Sequence, residues 1–403
     1  MDEGINPDQI LYVTFDSPIL KLTGLDGVLK FWEDMRPKTR RREYLFFDEI
    51  QYTSDWQTWL KHEVDFNKRR RIVVTGSAIP LTTENVESGV GRWHTIKLST
   101  LSFFEYLQIR GTSLPALPMV RSLAKIFDWK ESERTRVSVV ARELVPHFHD
   151  YLLRGGFPET ARVEHITTAQ KLLREDIVDK VLKRDMTALF GTRNVLELEK
   201  TFLYLCLHDG GILDKKVLCA NLELKKGAVD HFLDLLEAAH LIYRLRPFGY
   251  GKEILRGKQK VYLADAAIAG SVLLKGRALL EDSARLGAAV ETAFFKHVFT
   301  RYYSISIGFS FWRNSKTGNE VDLVAEVQGE TIPFEVKYSD SLIDVRKLKG
   351  LREFCNAHAL SRGYVITRRF NDFGPLTLSD SKAVVLKIPA PLACYWLSQS
   401  EGQ

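Results

Sequence analysis

Glu335 and Lys337 stand two residues apart in Thr331-Ile332-Pro333-Phe334-Glu335-Val336-Lys337, and on a strand that spacing puts both side chains on one face. Just upstream, Glu320-Val321-Asp322-Leu323-Val324-Ala325-Glu326-Val327 reads as a second strand, with Gln328-Gly329 as the turn between them. If that turn closes a two-residue hairpin, Val327 pairs with Glu330, and counting back sets Asp322 opposite Glu335. Any even loop length keeps this pairing. Carboxylates opposed at about 4.5–5.5 Å between Cβ atoms repel unless a cation lies between them. Mg²⁺ (or Mn²⁺), a hard, oxygen-seeking ion, is the natural occupant, with Glu291 on an upstream helix as a candidate third ligand. Lys337 would orient an attacking water or steady charge on a phosphate. A polar surface hairpin alternates in the same way. It does not account for two acids and a lysine converging between Val321, Leu323, Phe334 and Val336.

A second acidic pair closes the run Tyr44-Leu45-Phe46-Phe47-Asp48-Glu49-Ile50-Gln51. The run reads as a buried strand that delivers Asp48 and Glu49 at its C-terminal end, where open α/β sheets bind ligands. An ordinary buried strand meeting an acidic helix start would look the same. The order of the downstream segments tilts the reading. An aromatic helix (56–67) precedes a second buried strand, Arg71-Ile72-Val73-Val74-Thr75-Gly76-Ser77. Then come Gly91-Arg92 and Leu101-Ser102-Phe103-Phe104-Glu105-Tyr106, with a capping box at Ser102 and Glu105.

DEIQ, TGS, GR and LSFFEY in this order resemble the prokaryotic AAA-type ATPases that carry a C-terminal domain of unknown function. The resemblance continues through His149-Asp150-Tyr151-Leu152-Leu153-Arg154-Gly155-Gly156-Phe157-Pro158-Glu159 to about residue 370. It implies ATP as ligand, with Asp48 holding Mg²⁺ through water and Glu49 polarising the attacking water. Ser77 would be a sensor, and Arg92 a candidate arginine finger. Nothing in the chain reads G-x-x-x-x-G-K-[ST], the loop that cradles the phosphates. In the resembling ATPases that loop lies before the strand matching Ile10–Asp16, so the chain is expected to be shortened at its front.

Four blocks of chain carry these residues. Residues 1–112 read as an AAA-like core without the phosphate loop, with strands at 10–15, 44–47, 72–75 and 94–98 and helices at 25–35 and 56–67. Basic runs at Lys38–Arg42 and Lys68–Arg71 precede two of these strands and read as solvated faces, or as surfaces for an acidic partner or a phosphate backbone. Residues 113–194 read as a helical lid or connector. Residues 195–265 give three helices and two strands joined by a glycine-rich basic hairpin, which resembles a winged helix. Its DNA-binding candidates are Lys225 and Lys226 at the third helix, with Lys252, Arg256 and Lys258 in the hairpin. Residues 280–403 run helix (283–302), three-stranded meander, helix (344–356) and strands (363–367, 383–388). With W-R…G-x-E-V-D…E-V-K, that order resembles the PD-(D/E)XK nuclease fold. The fold class is therefore α/β throughout.

Composition sets the outer limits. The formal net charge of +6 and 45% apolar content fit folded cores with a mild basic excess that permits nucleic-acid contact. Four scattered cysteines with no C-x-x-C argue against disulfide frameworks and zinc sites. No signal pattern or bilayer-length apolar run is present, so a cytoplasmic protein without a membrane partner is expected. The expected function is an ATPase-family protein acting on nucleic acid through a metal-dependent nuclease-like domain. The alternative is a nucleotide-regulated module that binds DNA or protein and turns over at neither site. A homo-oligomer or a protein partner is left open.

Overall fold

A computed structural model describes residues 4–36, 41–76, 91–113, 115–187, 194–249, 251, 254 and 257–399. The chain separates into two compact units. One is built from 1–98 with 183–195 and 233–240, the other from 99–182, 196–232 and 241–403.

The smaller unit holds a three-stranded parallel sheet, β1 (Ile10–Thr14), β2 (Glu43–Asp48) and β3 (Arg70–Val74), with β2 in the middle. Two helices, α1 (Pro18–Asp34) and α2 (Trp56–Phe66), supply Leu25, Val28, Leu29, Trp56 and Trp59 to the core formed with Val13, Leu45 and Phe47. Gly24, at a φ of 67°, interrupts α1. The expected fully buried strand is buried on one face only. Across the other face, Tyr12, Phe46 and Val73 stand in register and are 65%, 37% and 49% exposed. Residues 94–98, expected as a strand, join no sheet, and Ile96 and Leu98 lie exposed.

The basic run at Lys68–Arg71 is not simply a solvated face. Arg70 pairs with Glu33, Glu43 and Glu63, and Arg36 adds a second contact to Glu43 at 2.5 Å. Glu43 sits buried at the start of β2, where burial works against its charge. The two guanidiniums outweigh that and hold its carboxyl below the usual range. A buried carboxylate of this kind needs its cations, so they are drawn inward.

In the larger unit, helices α3 (Phe103–Ile109), α4 (Glu131–Ala141), α5 (Leu144–Arg154), α6 (Pro158–Arg162) and α7 (Ile166–Arg174) lead to α8 (Val195–Leu207). Then come β4 (Ile212–Leu213), α9 (Lys215–Leu222), α10 (Lys226–Ala238, of which the part from Leu233 on is counted with the smaller unit), β5 (Ile242–Pro247), β6 (Gln259–Leu263) and α11 (Ala267–Val272). The chain closes with α12 (Ser283–Tyr302), β7 (Ser306–Arg313), β8 (Glu320–Val327), β9 (Glu330–Lys337), α13 (Lys349–Ala357), β10 (Arg362–Thr367), β11 (Gly374–Thr377), β12 (Val384–Pro389) and α14 (Ala390–Gln399). One mixed nine-stranded sheet runs β11-β12-β10-β9-β8-β7-β5-β6-β4. Its seam is the parallel pairing of Arg246 and Pro247 in β5 with Ser310 and Phe311 in β7. The β5–β6 hairpin and the β7–β8–β9 meander are thereby parts of one sheet. The closing helix α14, absent from the sequence expectation, is buried from Ala390 to Ser398 and packs on α3 and α12. A helix that is apolar all round belongs inside.

Candidate functional site

At the end of β2, Asp48 accepts hydrogen bonds from the hydroxyls of Tyr12 (3.1 Å) and Thr75. That contact, and the Asp48 charge, push the Tyr12 phenol up. Glu49 takes a left-handed φ of 53°, unusual for a residue with a side chain, and accepts from the Gln51 amide. The Ile50 amide bonds to Thr75 O at 3.0 Å, so this turn is tied to the end of β3. The pair therefore sits where the sequence placed it, at the C-terminal edge of a parallel sheet. Arg92 is paired with Asp65 of α2 at 3.1 Å, and Ser77 lies outside the described residues.

The second centre forms on β8 and β9. Gln328 and Gly329 both take positive φ (50° and 85°), as a two-residue type I′ turn requires, and Val327 pairs with Glu330. Leu323 faces Phe334, and one further step of the same register sets Asp322 opposite Glu335. The cation among the acids comes from elsewhere in the chain. Lys260 of β6, 2% exposed, places Nζ 2.8 Å from Glu291 Oε1, 3.1 Å from Glu320 Oε1 and 3.1 Å from Asp322 Oδ1. Tyr262, two residues along β6, donates to Glu291 Oε1 at 2.7 Å. The Val336 amide donates to Asp322 Oδ2 at 2.8 Å, and Lys337 pairs with Glu335 Oε1. Glu335 Oε2 is buried without a hydrogen-bond partner.

Comparison with known proteins fits this two-part arrangement. Residues 1–107 match the family described as an AAA domain, and residues 286–386 match a domain of unknown function, DUF4143. The chain carries an AAA domain at its N-terminal end and DUF4143 at its C-terminal end. Between them, residues 145–278 match another domain of unknown function, DUF8612. Two relatives come from Methanocaldococcus jannaschii. Uncharacterized protein MJ1544 is 22% identical over 64% of this chain and 55% of its own length. Uncharacterized protein MJ1637 is 24% identical over 76% of this chain and 64% of its own. The chain thus spans less than two thirds of each of these curated relatives. The crystal structure of protein VC1899 from Vibrio cholerae aligns over 98% of this chain and 97% of its own, at 12% identity and a TM-score of 0.20.

Charge in the DUF4143 centre is sorted by burial and by the two lysines. Burial first, and then the Asp322 charge, push the Glu335 carboxyl up to about 8 in spite of Lys337. Burial works against the Asp322 charge too, but Lys260 and Lys337 outweigh that and hold its carboxyl below the usual range. Burial and Asp322 raise Glu291, and burial raises its neighbour Asp209 to about 7. Asp209 accepts from the Leu263 amide at 2.9 Å and the Thr292 hydroxyl at 2.8 Å.

The residues do not fit a divalent ion as they stand. Both Asp322 oxygens and Glu291 Oε1 are taken by donors, and only Glu335 Oε2 is an unpartnered buried oxygen among them. Among the described residues, no three His, Cys, Asp or Glu side chains are grouped to hold a metal. The cation that Asp322 meets is a lysine ammonium, which it shares with Glu291 and Glu320, while Glu335 pairs with Lys337.

Of the nucleic-acid candidates, Lys225 and Lys226 are exposed at the start of α10. Lys258 pairs with Asp214, the N-cap of α9, at 2.5 Å, while Lys252 and Arg256 lie outside the described residues. No helix among the described residues is long and apolar enough to cross a membrane.

A buried pair escaped the sequence reading altogether. Lys296 of α12 donates to Leu101 O (2.7 Å), Tyr151 OH (2.9 Å) and Asp265 Oδ2 (3.1 Å). Asp265 also accepts from Thr100 Oγ1 (2.6 Å) and from the amides of Gly156 and Ala267 (3.0 Å each). Here Gly156 is required. A Cβ on it would stand 2.2 Å from Leu101 O and 2.8 Å from Lys296 Nζ. Beside this pair, His297 Nε2 accepts the Phe103 amide at 2.8 Å, capping the first turn of α3. Burial, then Lys296, hold His297 down at about 3, so it is neutral. LSFFEY and RGGFPE are thus joined at one buried node. Lys296-His297 within Ala293-Phe294-Phe295-Lys296-His297-Val298 was the signal: two basic residues amid an apolar helix.

Proposed function

We propose that this is an AAA-type, ATPase-family protein whose C-terminal unit engages nucleic acid and holds it without cutting it. The observation that carries this reading is the continuous sheet. It joins a three-helix, β4–β6–β5 element of winged-helix-like layout, with exposed Lys225 and Lys226, to the nuclease-like acid–lysine centre on β8 and β9. Binding is expected to be electrostatic. Lys225→Ala/Lys226→Ala should weaken a duplex about tenfold at low salt and flatten the dependence of affinity on salt. Fluorescence anisotropy at two salt concentrations tests it, and salt-insensitive binding, or binding untouched by the pair of changes, rejects it.

Metal-dependent cleavage is the second reading, favoured by the convergence of Asp322, Glu335 and Lys337 and by the unpartnered Glu335 oxygen. Plasmid and single-stranded substrates incubated with Mg²⁺ or Mn²⁺ discriminate the two. Nicking that Lys337→Ala suppresses would favour cleavage, and intact substrate favours holding.

At the AAA end, Asp48 and Glu49 are held ready, yet the chain has no G-x-x-x-x-G-K-[ST] to anchor a triphosphate. Positioning supplies most of phosphoryl-transfer catalysis. The purified 403-residue chain should therefore release phosphate from ATP no faster than its Glu49→Gln variant. A phosphate-release assay in which the wild type clearly exceeds the variant would overturn this.

A further inference from the structure

We propose that Lys260 is the resident cation of the DUF4143 carboxylate centre, a tethered ammonium standing where a divalent ion would sit, and that removing it opens a divalent-metal site. The inference rests on reading this domain as a non-cleaving platform and adds what keeps it so. An ammonium has three N–H donors. Lys260 meets three carboxylates, Glu291, Glu320 and Asp322, at 2.8, 3.1 and 3.1 Å, which saturates it. Those separations suit N–H···O contacts. Mg²⁺ would draw its oxygens to about 2.0–2.1 Å. A buried ammonium would cost several kcal/mol if left unpaired, so at 2% exposure Lys260 is held by these acids as much as it neutralises them. Its backbone is fixed on both sides, because Lys260 pairs with Leu245 in β5 and with Ile212 in β4. The cation therefore belongs to the helix–hairpin element, and the acids belong to β8 and α12. A free ion would have to displace a group that the fold itself holds in place.

With the amine gone, Glu291 and Asp322 would lose the ammonium they contact, Glu320 would keep only the longer approach of Arg313 at 3.9 Å among the cations described for it, and Glu335 Oε2 would be a further oxygen. Such a cluster should destabilise the chain until a divalent cation enters, after which binding stabilises it by mass action. The test uses the full chain and Mn²⁺ as probe. In wild type, melting temperature should be the same in chelator and in millimolar Mn²⁺. Lys260→Ala should melt lower in chelator and recover by several degrees in Mn²⁺. Lys260→Ala/Asp322→Asn should show no recovery. A wild-type shift as large as that of Lys260→Ala, or a folded Lys260→Ala chain indifferent to Mn²⁺, would overturn the proposal. Should Lys260→Ala not fold, Mn²⁺ uptake followed by electron paramagnetic resonance decides it. Wild type and Asp322→Asn should take up equal amounts, and lower uptake by Asp322→Asn would show that metal enters beside the lysine. None of these readouts involves nucleic acid. A failed duplex-binding experiment therefore leaves this result standing, and a failed metal experiment leaves the duplex result standing.

Discussion

Lys296→Met should lower the stability of the larger unit by roughly 3–5 kcal/mol, the usual cost of removing one partner of a buried ion pair. For a unit of this size that corresponds to a melting temperature lower by about 5–8 °C. The reason is what remains. Asp265, 1% exposed, keeps hydrogen bonds from Thr100, Gly156 and Ala267 but loses the only charge that offsets its burial among the contacts described for it. Burial works against the charged form, and Lys296 is the largest influence that nevertheless holds Asp265 below the usual range. Leu101 O and Tyr151 OH each lose the Lys296 ammonium at the same moment. The double variant Asp265→Asn/Lys296→Met should recover a clear part of the loss, since no charge is then left buried alone. Thermal melts of the wild type, both single variants and the double variant close the cycle. Additive losses would mean the pair is not coupled, and a single-variant loss under about 1 kcal/mol, small against the usual cost of breaking a buried pair, would mean the node is not structural.

The centre on β8 and β9 was legible because its information is local. Period-two alternation, a Gln-Gly turn and an even loop fix the register of a hairpin within one short stretch, Glu320 to Lys337: Val327 pairs with Glu330, and the pairing runs to Leu323 and Phe334, one step from Asp322 and Glu335. Lys260 was not legible, although Lys260-Val261-Tyr262-Leu263 could be read as a strand. Its partners lie far downstream, at Glu291, Glu320 and Asp322, and the β5–β7 seam and the packing of α12 on β6 bring them together. The hairpin alone points to a metal as the counter-charge of Asp322, whereas in the fold the Lys260 ammonium contacts it.

The same limit explains the other departures. Arg70 reads as one of a run of surface cations until Glu33, Glu43 and Glu63 are seen to surround it. Tyr44–Phe47 reads as buried on both faces, since an apolar run does not say whether a second layer covers it, and Phe46 is partly exposed. Apolar pattern, turn chemistry and capping boxes speak for their own few residues. Where buried charges find one another depends on strand order, which no short stretch of sequence encodes.

Strand order also gives the DUF4143 centre a pH dependence whose sign can be worked out. Glu335 has its carboxyl raised from the ordinary 4.5 to about 8 in the folded chain. A folded-state pKa above the unfolded one means the folded chain binds the proton more tightly. The stability this contributes is complete below about pH 4.5 and is lost as pH rises through about 8. Glu335→Gln, which stays neutral, should match wild type near pH 5 and gain on it steadily above pH 6. By pH 8 the advantage should be on the order of 2–3 kcal/mol, below the full value of the shift because the Lys337 pairing is lost as well. Asp209 and Glu291 are raised too, so wild type alone should lose stability over the same window for several reasons. The difference between wild type and variant isolates Glu335. Asp322 cannot imitate it: its carboxyl is lowered, so its contribution is present above its unfolded pKa and lost only as pH falls toward strong acid. Chemical denaturation of both chains at pH 5, 6.5 and 8 measures the effect. A variant that is less stable than wild type at pH 8, or a difference that does not change with pH, would mean that Glu335 is charged in the folded protein and that Lys337 is its counter-ion.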